Sequence, residues 1–529
     1  MKGEHAVATR RWLMIIIVLG GFLRLFGIWF GLPYPYARPD EDVATRKAIE
    51  LLTSGDLNPH FFHWPSLTFY VFGAIYALAG LVKGVASGQA SLALHEQILL
   101  ARVAVAVAGT ATLFVLFRIG RRVADEGTGL LAAGLLAVAI LHVRESHFAM
   151  TDVLMTLFLT ISLLLLLRAV DEGDDKASLV WFAASGLIGG LAASTKYSGA
   201  AIVAALLPII VSRTSRSLVS RRAWLPVIAF GGCFAGAFVA TSPYIVLDFH
   251  AFLDGFRFTF GHLAAGQNVD LGRGWVYHLT HSLPFGAGVP TFAAAIVGSV
   301  IMARHHRTHW SVLGSFAAVF FFLIGAGYLV FFRYVLPLLP IVCLAAAVGI
   351  RHAASSLVRR TSLSLATSLG ILIAIIAGPG LVNSMWFDLL LARTDSRVVA
   401  ARWLETNLRP GDSFYDAGGK YVAVDLSRTR YRRVTFDTDA GDFANSGGQR
   451  PDWLVLHESP LFTYTEVPQP VQEIAETDYV VATRIDGTPL LPRGAIYDVQ
   501  DLFFVPVWGM WTVERPGPTI RIYRRKDAR

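Results

Sequence analysis

Charge and cysteine are both scarce in this chain. Only 16% of its 529 residues are Asp, Glu, Lys or Arg, against about 25% in an ordinary soluble protein. Its two cysteines, Cys233 and Cys343, lie inside apolar runs, which argues against a disulfide framework and a thiolate metal site. The sequence also lacks internal repeats and low-complexity linkers. The whole chain is 54% hydrophobic with a mean hydropathy of +0.52, a composition typical of a polytopic helical membrane protein.

The net charge of +8 comes from short basic clusters between apolar runs. Such clusters follow the positive-inside rule, so nucleic-acid binding is not needed to explain them. They mark the predicted cytoplasmic ends of helices: Arg118, Arg121 and Arg122; Arg213, Arg216, Arg221 and Arg222; Arg304 and Arg307; and Arg351, Arg359 and Arg360.

Residues 12–31 are about as long as the roughly 20 apolar residues that cross a bilayer, and they are too long for the apolar core of a signal peptide. Further apolar runs lie near 66–83, 98–117, 128–143, 150–167, 179–194, 198–211, 223–243, 286–303, 311–332, 335–350 and 363–382.

The basic clusters fall on one side only if residues 66–83 do not cross the membrane. This run contains Gly73 and Gly80 and follows Trp64 and Pro65, so it is predicted to be a juxtamembrane or re-entrant helix. Eleven spanning helices then remain. The outer face receives the acidic loop 33–97, the loop 244–285 and the C-terminal tail.

The composition changes near residue 395. The stretch RTDSRVVAARWLETNL predicts an amphipathic helix, and short strands are predicted at DSFYDA, DWLVLH, DYVVATRI and IRIYRR. The chain is therefore predicted to be mainly α, with a membrane domain over residues 1–384 and a small soluble α/β domain over residues 395–529.

Three acids, Asp40, Glu41 and Asp42, follow the first apolar run in the sequence YARPDED. A carboxylate at the outer mouth of a helix can be partly desolvated and still reach an aqueous substrate, so Asp40 or Glu41 is a candidate general base. A solvated acidic loop is the alternative, and the triplet alone does not separate the two.

Two histidines, His60 and His63, lie in the aromatic stretch GDLNPHFFHWPSLTFY. Histidines three residues apart beside acids can bind a metal ion. Aromatic stretches of this kind also anchor chains at the membrane interface. Both interpretations remain open, so a divalent cation is a possible cofactor and no metal ligand is assigned.

Charged residues also lie within or beside the apolar runs. They are Arg144, Glu145, His147 and Asp152 in HVRESHFAMTD, Lys196 in GLAASTKYSGA and Arg333 in FFRYVLPLLP. Charges at such depth are expensive, so they pair with one another or line a polar cavity. Lys196 and Arg333 both fall at predicted outer ends, where two cations can hold one phosphate.

As a set, these motifs resemble the GT-C glycosyltransferases, in the branch of protein O-mannosyltransferases and bacterial aminoarabinose transferases. The resemblance covers roughly residues 10–350 and rests on RPDED, TSGDLNPHFFHWPSL, RESHFAMTDV, GLAASTKYSG and FRYVLPLLP. It implies a polytopic GT-C fold in which Asp40, with Glu41 beside it, is catalytic. It also implies a set of substrate-binding residues: His63, Arg144, His147, Asp152, Lys196, Tyr197, Arg333 and Tyr334. His63 stands where aminoarabinose transferases have a lysine.

The resemblance implies transfer of mannose or a related sugar from a polyprenyl phosphate to the hydroxyl of an exported protein, glycolipid or cell-wall polymer. The reaction would occur with inversion at the outer face of the plasma membrane. One alternative is an oligosaccharyltransferase-like enzyme with a diphosphate donor, which would call for a metal ion. Another is a non-enzymatic lipid transporter or scaffold, for which the inverted repeats typical of transporters are not seen.

Overall fold

The computed structural model describes residues 2–88, 90–214, 221–426, 431–444, 450–491 and 494–527. The chain divides into two compact units. The membrane unit comprises Met1–Leu25 and Val43–Met385, and the C-terminal unit comprises Phe26–Asp42 and Trp386–Arg529. The acidic motif after the first helix therefore belongs to the same unit as the C-terminal residues.

Helices account for nearly all regular structure up to residue 391. They are α1 (Lys2–Leu25), α2 (Glu41–Ser54), α3 (Leu67–Ser87), α4 (Leu94–Val123), α5 (Glu126–Ala137), α6 (Ile140–Glu145), α7 (Thr151–Asp171), α8 (Asp175–Thr195), α9 (Leu207–Thr214), α10 (Arg221–Thr241), α11 (Tyr244–Leu247), α12 (Phe249–Ala265), α13 (Gly274–Tyr277), α14 (Leu283–Ala287), α15 (Val289–His305), α16 (Arg307–Gly325), α17 (Leu339–Arg360) and α18 (Leu365–Leu391). Tyr197–Leu206 and Phe332–Leu338 are 3₁₀ segments, and His278–Ser282 is a π-helical turn.

Within the described residues, nine helical segments are long and apolar enough to cross a bilayer. They are Ala6–Leu25, Leu67–Ser87, Leu94–Val123, Thr151–Asp171, Asp175–Thr195, Trp224–Thr241, Arg307–Gly325, Phe332–Arg360 and Leu365–Asn407. A tenth is formed if Gly274–Ala287 and Val289–His305, which meet at 110°, count as one broken span. The protein is a multi-pass helical membrane protein, as its composition predicts.

The described residues thus give nine such segments, or ten with the broken span, where the sequence predicted about eleven. The run at 128–143 breaks after α5, because Ala139 is extended and the chain restarts as the short helix α6. The run at 198–211 begins as a 3₁₀ segment and continues only as α9. A helix of 12 residues is about 18 Å long, short of the roughly 30 Å hydrocarbon core.

Two ion pairs define the two ends of the helix bundle. At one end, Lys196 after α8 contacts Asp152 in the first turn of α7. At the other, Arg122 near the end of α4 contacts Asp171 at the end of α7, so α4 and α7 run in the same direction. We call these the Asp152 end and the Arg122 end.

Helix α3 begins and ends at the Asp152 end, although it is long enough to cross. The backbone N–H of Ser66 donates to Ser242 Oγ at 3.0 Å, and Ser242 is bonded to Ser194 near the end of α8. At the other terminus of α3, Lys83 Nζ lies 2.8 Å from a carboxylate oxygen of Glu96 in the first turn of α4. Both termini of α3 are therefore held at the same end of the bundle.

The C-terminal unit is built on one six-stranded mixed sheet in the order β3-β2-β1-β4-β6-β5. Its strands are β1 (Ser413–Asp416), β2 (Arg432–Asp437), β3 (Asp442–Ala444), β4 (Trp453–Glu458), β5 (Tyr479–Ile485) and β6 (Thr519–Arg525). Its helices are α19 (Ser396–Asn407), α20 (Phe462–Thr465) and α21 (Gln469–Asp478). Strands β2, β1 and β4 are parallel, and the other pairings are antiparallel.

Helices cover both faces of this sheet. On one face, Ala400 and Leu404 of α19 pack on Phe414, Val455 and Ile522. On the other face, α21 packs its buried Val471 and Ala475 against Tyr415, Leu454 and Leu456. The predicted α/β architecture follows from the central strands β1 and β4, which are buried on both sides, and from two helices that each bury one face.

Candidate active site

A buried ion pair lies at the Asp152 end of the membrane unit. Asp152 is 1% exposed, and Lys196 Nζ lies 2.7 Å from its Oδ1 atom. Lys196 follows the last residue of α8 in an extended conformation, so its side chain leaves the helix axis and meets the first turn of α7. The ammonium group has two further N–H donors for an anion.

The segment that carries Arg333 adjoins this pair. Lys196 Nζ lies 4.7 Å from the centre of the Tyr334 ring, a cation–π contact. The neighbouring Arg333 is 6% exposed, and its guanidinium lies 4.1 Å from the centre of the Phe331 ring. The fold therefore brings Asp152, Lys196 and Tyr334 together and places Arg333 next to them in the chain.

The aromatic loop around His63 meets the same region through Tyr197. The Tyr197 hydroxyl donates to the backbone oxygen of Phe62 at 2.9 Å. His63 stacks on Phe258 of α12, with ring centres 4.2 Å apart. Burial, and then the nearby His262 side chain, lower the pKa of His63, so its imidazole is mainly neutral at neutral pH.

Arg144 and His147 are held inside the bundle. Arg144 forms a buried ion pair with its neighbour Glu145 and lies over the Phe148 ring. The His147 side chain is hydrogen-bonded to the backbone oxygen of Val143 at 2.9 Å. These contacts tie both side chains to the segment between α6 and α7.

His60 and His63 have separate surroundings. His60 is exposed and its Nε2 lies 2.8 Å from Asp56, whereas His63 is stacked between aromatic rings. Among the described residues, no group of three or more His, Cys, Asp or Glu side chains is arranged to hold a metal ion.

The acidic motif belongs to the C-terminal unit and has one accessible member. Glu41 and Asp42 are buried in the first turn of α2, at 0% and 3% exposure, while Asp40 is half-buried. Asp40 also has φ +70°, a left-handed conformation that few side chains other than Asn and Asp adopt readily. Strained residues of this kind concentrate at functional sites. Asp40 is therefore the carboxylate best placed to meet a substrate.

A turn of the C-terminal sheet holds this motif through Asp42. Lys420 Nζ lies 2.7 Å from Asp42 Oδ2, and the Tyr421 hydroxyl donates to Asp42 Oδ1 at 3.2 Å. Although burial opposes it, the hydrogen bond to Asp42 raises the pKa of Lys420. Burial and then the charge of Asp42 raise the pKa of Tyr421, which stays a hydroxyl donor.

The turn that carries Lys420 is organised by Asp416 at the end of β1. Its carboxylate accepts the backbone N–H groups of Gly418 and Val424, both at 2.8 Å, and lies 2.7 Å from His457 Nε2 of β4. Position 418 requires glycine, because a Cβ atom there would lie 2.6 Å from the backbone nitrogen of Ala423. Open α/β sheets bind ligands at the carboxyl ends of parallel strands, at the point where the strand order reverses, and β1 lies at such a point between β2 and β4.

The chain segment before the acidic motif occupies that strand end. The Tyr34 hydroxyl donates to the backbone oxygen of Ala423 at 2.9 Å. The buried Arg38 guanidinium lies 2.8 Å from Asp501 Oδ1. Arg397, paired with Asp395, donates to the backbone oxygen of Tyr421 at 2.6 Å. These contacts fix the backbone on which Asp40 stands.

Sequence reasoning missed Lys420 and Tyr421. The signal for both was the stretch DAGGKY directly after a predicted strand, since paired glycines there indicate a tight turn or a close approach of backbone.

Comparison with known proteins gives matches in sequence and in structure. A family model described as dolichyl-phosphate-mannose-protein mannosyltransferase matches residues 85–245. The undecaprenyl phosphate-alpha-4-amino-4-deoxy-L-arabinose arabinosyl transferase of Pseudomonas aeruginosa (strain UCBPP-PA14) is 26% identical over 284 residues, which are 51% of this chain and 46% of that protein. The chain thus spans about half the length of the curated relatives that it matches.

Two solved structures share the overall fold. ArnT from Cupriavidus metallidurans, bound to undecaprenyl phosphate, has a TM-score of 0.51 at 17% identity, over 91% of this chain and 97% of that one. The oligosaccharyltransferase of Archaeoglobus fulgidus, tethered to an acceptor peptide, has a TM-score of 0.54 at 13% identity, over 89% and 72%. The chain has the GT-C glycosyltransferase fold. Together the matches confirm the predicted resemblance to the GT-C glycosyltransferases.

Proposed function

We propose that this protein transfers a sugar, mannose or a related one, from a polyprenyl phosphate to a hydroxyl group of an exported acceptor. The observation that carries the proposal is that Lys196 contacts both Asp152 and the ring of Tyr334, the residue after the cation Arg333, at one end of an apolar bundle. A lipid-borne phosphate needs both an apolar path for its chain and cations for its head. The undecaprenyl phosphate named for two of the similar proteins supports the same donor class.

The reaction follows as a direct displacement. The acceptor oxygen forms a bond to the anomeric carbon as the bond from that carbon to the phosphate oxygen breaks, so the configuration inverts. Asp40 takes the hydroxyl proton, and Lys196 and Arg333 stabilise the charge that develops on the departing polyprenyl phosphate. His63, Tyr197 and Tyr334 would help to place the phosphate, and Asp152 would orient Lys196. No step here requires a metal ion, though one is compatible with the scheme.

The proposed reaction takes place at the outer face of the plasma membrane. The basic clusters favour the cytoplasm for the Arg122 end, so the Asp152 end faces outward. Because α3 starts and finishes at the Asp152 end, it is inferred to lie along that face. The proposal also places the C-terminal unit outside.

This orientation predicts which single cysteines react with an impermeant thiol reagent in spheroplasts. In a Cys233→Ser/Cys343→Ser background, cysteines at the exposed positions Ser91 and Ala440 should be labelled. A cysteine at Ser355, exposed among the basic residues of α17, should react only after permeabilisation. Protection of the cysteine at 91 alone would show that α3 crosses the membrane.

The contact between Lys420 and Asp42 predicts a second effect. Lys420→Ala should lower kcat roughly three- to tenfold and leave donor affinity unchanged, because the lost partly exposed ion pair only positions the acidic motif. Lys420→Arg should retain most of the activity. Lys526→Ala, at an exposed lysine of the same unit, is the matched control and should behave like the wild type. Weaker donor binding in Lys420→Ala with normal kcat would refute the positioning role.

The function itself can be tested by mass spectrometry of glycoproteins, glycolipids and cell-wall polymers from a deletion strain. We expect one sugar modification to be lost and to return with the wild-type gene but not with Asp40→Asn. A panel of donors given to the purified protein would then show whether it uses a polyprenyl phosphate or a diphosphate. A deletion strain whose exported glycans are all unchanged, including under conditions where the gene is expressed, would contradict the proposal.

A further inference from the structure

Four arginines meet around a cavity at the Arg122 end of the membrane unit. The cavity has a volume of about 250 Å³, and its lining residues are Arg118, Arg121, Arg122, Leu164, Arg168 and Asp171. A second cavity of similar size shares Arg122, Arg168 and Asp171 with it. The lining carries four positive charges and one negative charge. A single water takes about 30 Å³ of liquid, so the space is large enough for a polyatomic anion.

The arginines around this cavity repel one another, and a bound anion would reduce that repulsion. Arg118, Arg121 and Arg122 stand at positions i, i+3 and i+4 of α4, which places them on one helix face, where like charges repel. Arg168 joins them from α7. The positive-inside rule accounts for arginines at this end of the helices, but it does not require them to converge on one cavity.

Asp171 offsets only one of the four positive charges in the cavity lining. Its Oδ2 atom lies 2.7 Å from Arg122 and its Oδ1 atom 2.8 Å from His309, so both carboxylate oxygens already have partners. Arg121 approaches Glu126 only at 3.9 Å, in a half-exposed pair.

The two deeper arginines are held by aromatic rings. The Arg118 guanidinium lies 5.7 Å from the centre of the Phe114 ring, and that of Arg168 lies 5.1 Å from the Trp181 ring. Within the described residues, neither has an ion-pair partner within 4 Å. Ring contacts orient a guanidinium without cancelling its charge, so its N–H donors stay available to an anion.

The pocket is separate from the candidate active site. Asp152 and Arg168 are 16 residues apart on α7, which corresponds to about 24 Å along the helix axis. The donor phosphate proposed to bind Lys196 would therefore lie at the opposite end of the bundle. Basic pockets between membrane helices on the cytoplasmic side are typical sites for anionic lipid headgroups.

We propose that this arginine pocket binds a phosphate group, supplied by the headgroup of an anionic phospholipid in the cytoplasmic leaflet. Arg118 and Arg168 grip the phosphate oxygens, while Arg121 and Arg122 line the entrance. The site is independent of the proposed transfer reaction, since its residues are remote from Asp152 and Lys196.

Native mass spectrometry of the purified full-length protein, titrated with phosphatidylglycerol and with phosphatidylcholine, tests this site. The wild type should bind phosphatidylglycerol in preference to phosphatidylcholine. Arg118→Gln/Arg168→Gln should weaken that binding roughly thirtyfold. Arg304→Gln/Arg360→Gln removes the same charge from exposed positions of the same end and should bind like the wild type. Arg121→Gln, at a half-exposed position, should weaken binding without endangering the fold.

Two further experiments test the role of charge in the pocket and distinguish a lipid phosphate from free phosphate. Asp171→Asn removes the one acid of the lining, so it should bind phosphatidylglycerol at least as tightly as the wild type. Competition by millimolar inorganic phosphate would assign the pocket to free phosphate, and its absence would assign it to the lipid. Wild-type affinity for phosphatidylglycerol in both Arg121→Gln and Arg118→Gln/Arg168→Gln, or no preference over phosphatidylcholine in the wild type, would overturn the proposal.

Discussion

Asp40→Asn is expected to lower the rate of sugar transfer by roughly a hundred- to ten-thousandfold while donor binding stays nearly unchanged. A neutral hydroxyl is a poor nucleophile, and asparagine keeps the shape of the side chain but cannot accept the proton. Asp40 is also the half-buried member of the acidic motif, whereas Glu41 and Asp42 are buried. Transfer from a synthetic polyprenyl-phosphate sugar in liposomes, with donor binding measured on the same preparations, gives both quantities.

Three further variants test whether the loss of turnover is specific to Asp40. Glu41→Gln should lower turnover less than Asp40→Asn if Glu41 only supports its neighbour. Asp42→Asn should resemble Lys420→Ala, because each removes one side of the same contact. Asp56→Asn changes an exposed acid of the same outer loop and should leave turnover unaffected. Full activity in Asp40→Asn together with loss in Glu41→Gln would move the catalytic role to Glu41.

Lys196→Ala is expected to weaken binding of the polyprenyl-phosphate sugar roughly ten- to a hundredfold, because it removes a charge-assisted hydrogen bond to the phosphate. The same change leaves the carboxylate of Asp152 buried without this partner, which costs stability as well. Thermal unfolding and donor binding must therefore be measured together. Lys83→Ala, which breaks the partly exposed pair with Glu96, is the matched control.

A double variant separates the two consequences. Asp152→Asn/Lys196→Gln replaces the ion pair by two neutral polar side chains, so it should recover much of the stability that Lys196→Ala loses. Donor binding should stay ten- to a hundredfold weaker, since the positive charge is still missing. Wild-type donor affinity in the double variant would show that Lys196 and Asp152 form only a structural pair.

Much of the membrane unit follows from the sequence because bilayer crossing depends on local composition. The apolar runs predicted at 150–167 and 179–194 match α7 and α8 to within four residues at each end. The sequence did not predict the break in the run at 128–143. The helix is interrupted at Val138 and Ala139, and neither residue is a helix breaker such as proline or glycine. The prediction that α3 does not cross the membrane rests on charge parity, a property of the whole chain, rather than on the residues of α3 itself.

The sequence predicted four of the six described strands of the C-terminal sheet. Strands β1, β4, β5 and β6 were predicted within a few residues, because β1 and β4 are apolar on both faces and β5 and β6 are rich in β-branched and aromatic residues. Strand β2 carries mostly exposed, charged or polar side chains, and β3 has three residues, so neither left a clear pattern. The parallel order of β2, β1 and β4 depends on contacts distant in sequence.

In the candidate site, too, contacts between residues distant in sequence could not be predicted. Asp152 and Lys196 were marked as costly charges that must find partners, and the structure pairs them at 2.7 Å. The contact of Lys420 with Asp42 joins residues 378 positions apart. No local sequence pattern predicts such a pairing, because a lysine after two glycines is as typical of a solvated turn as of a turn that binds a distant acid.

The most direct test of the account is the fate of the donor lipid itself. The wild-type protein, in liposomes containing a polyprenyl-phosphate sugar and supplied with an envelope fraction as acceptor, should release free polyprenyl phosphate and leave the sugar on the acceptor with inverted anomeric configuration. Mass spectrometry of the lipid and NMR of the product measure these two results. Tight binding of a donor that remains intact, with equal amounts of intact donor in the wild type and Asp40→Asn, would contradict the account and favour a lipid-binding or transport protein.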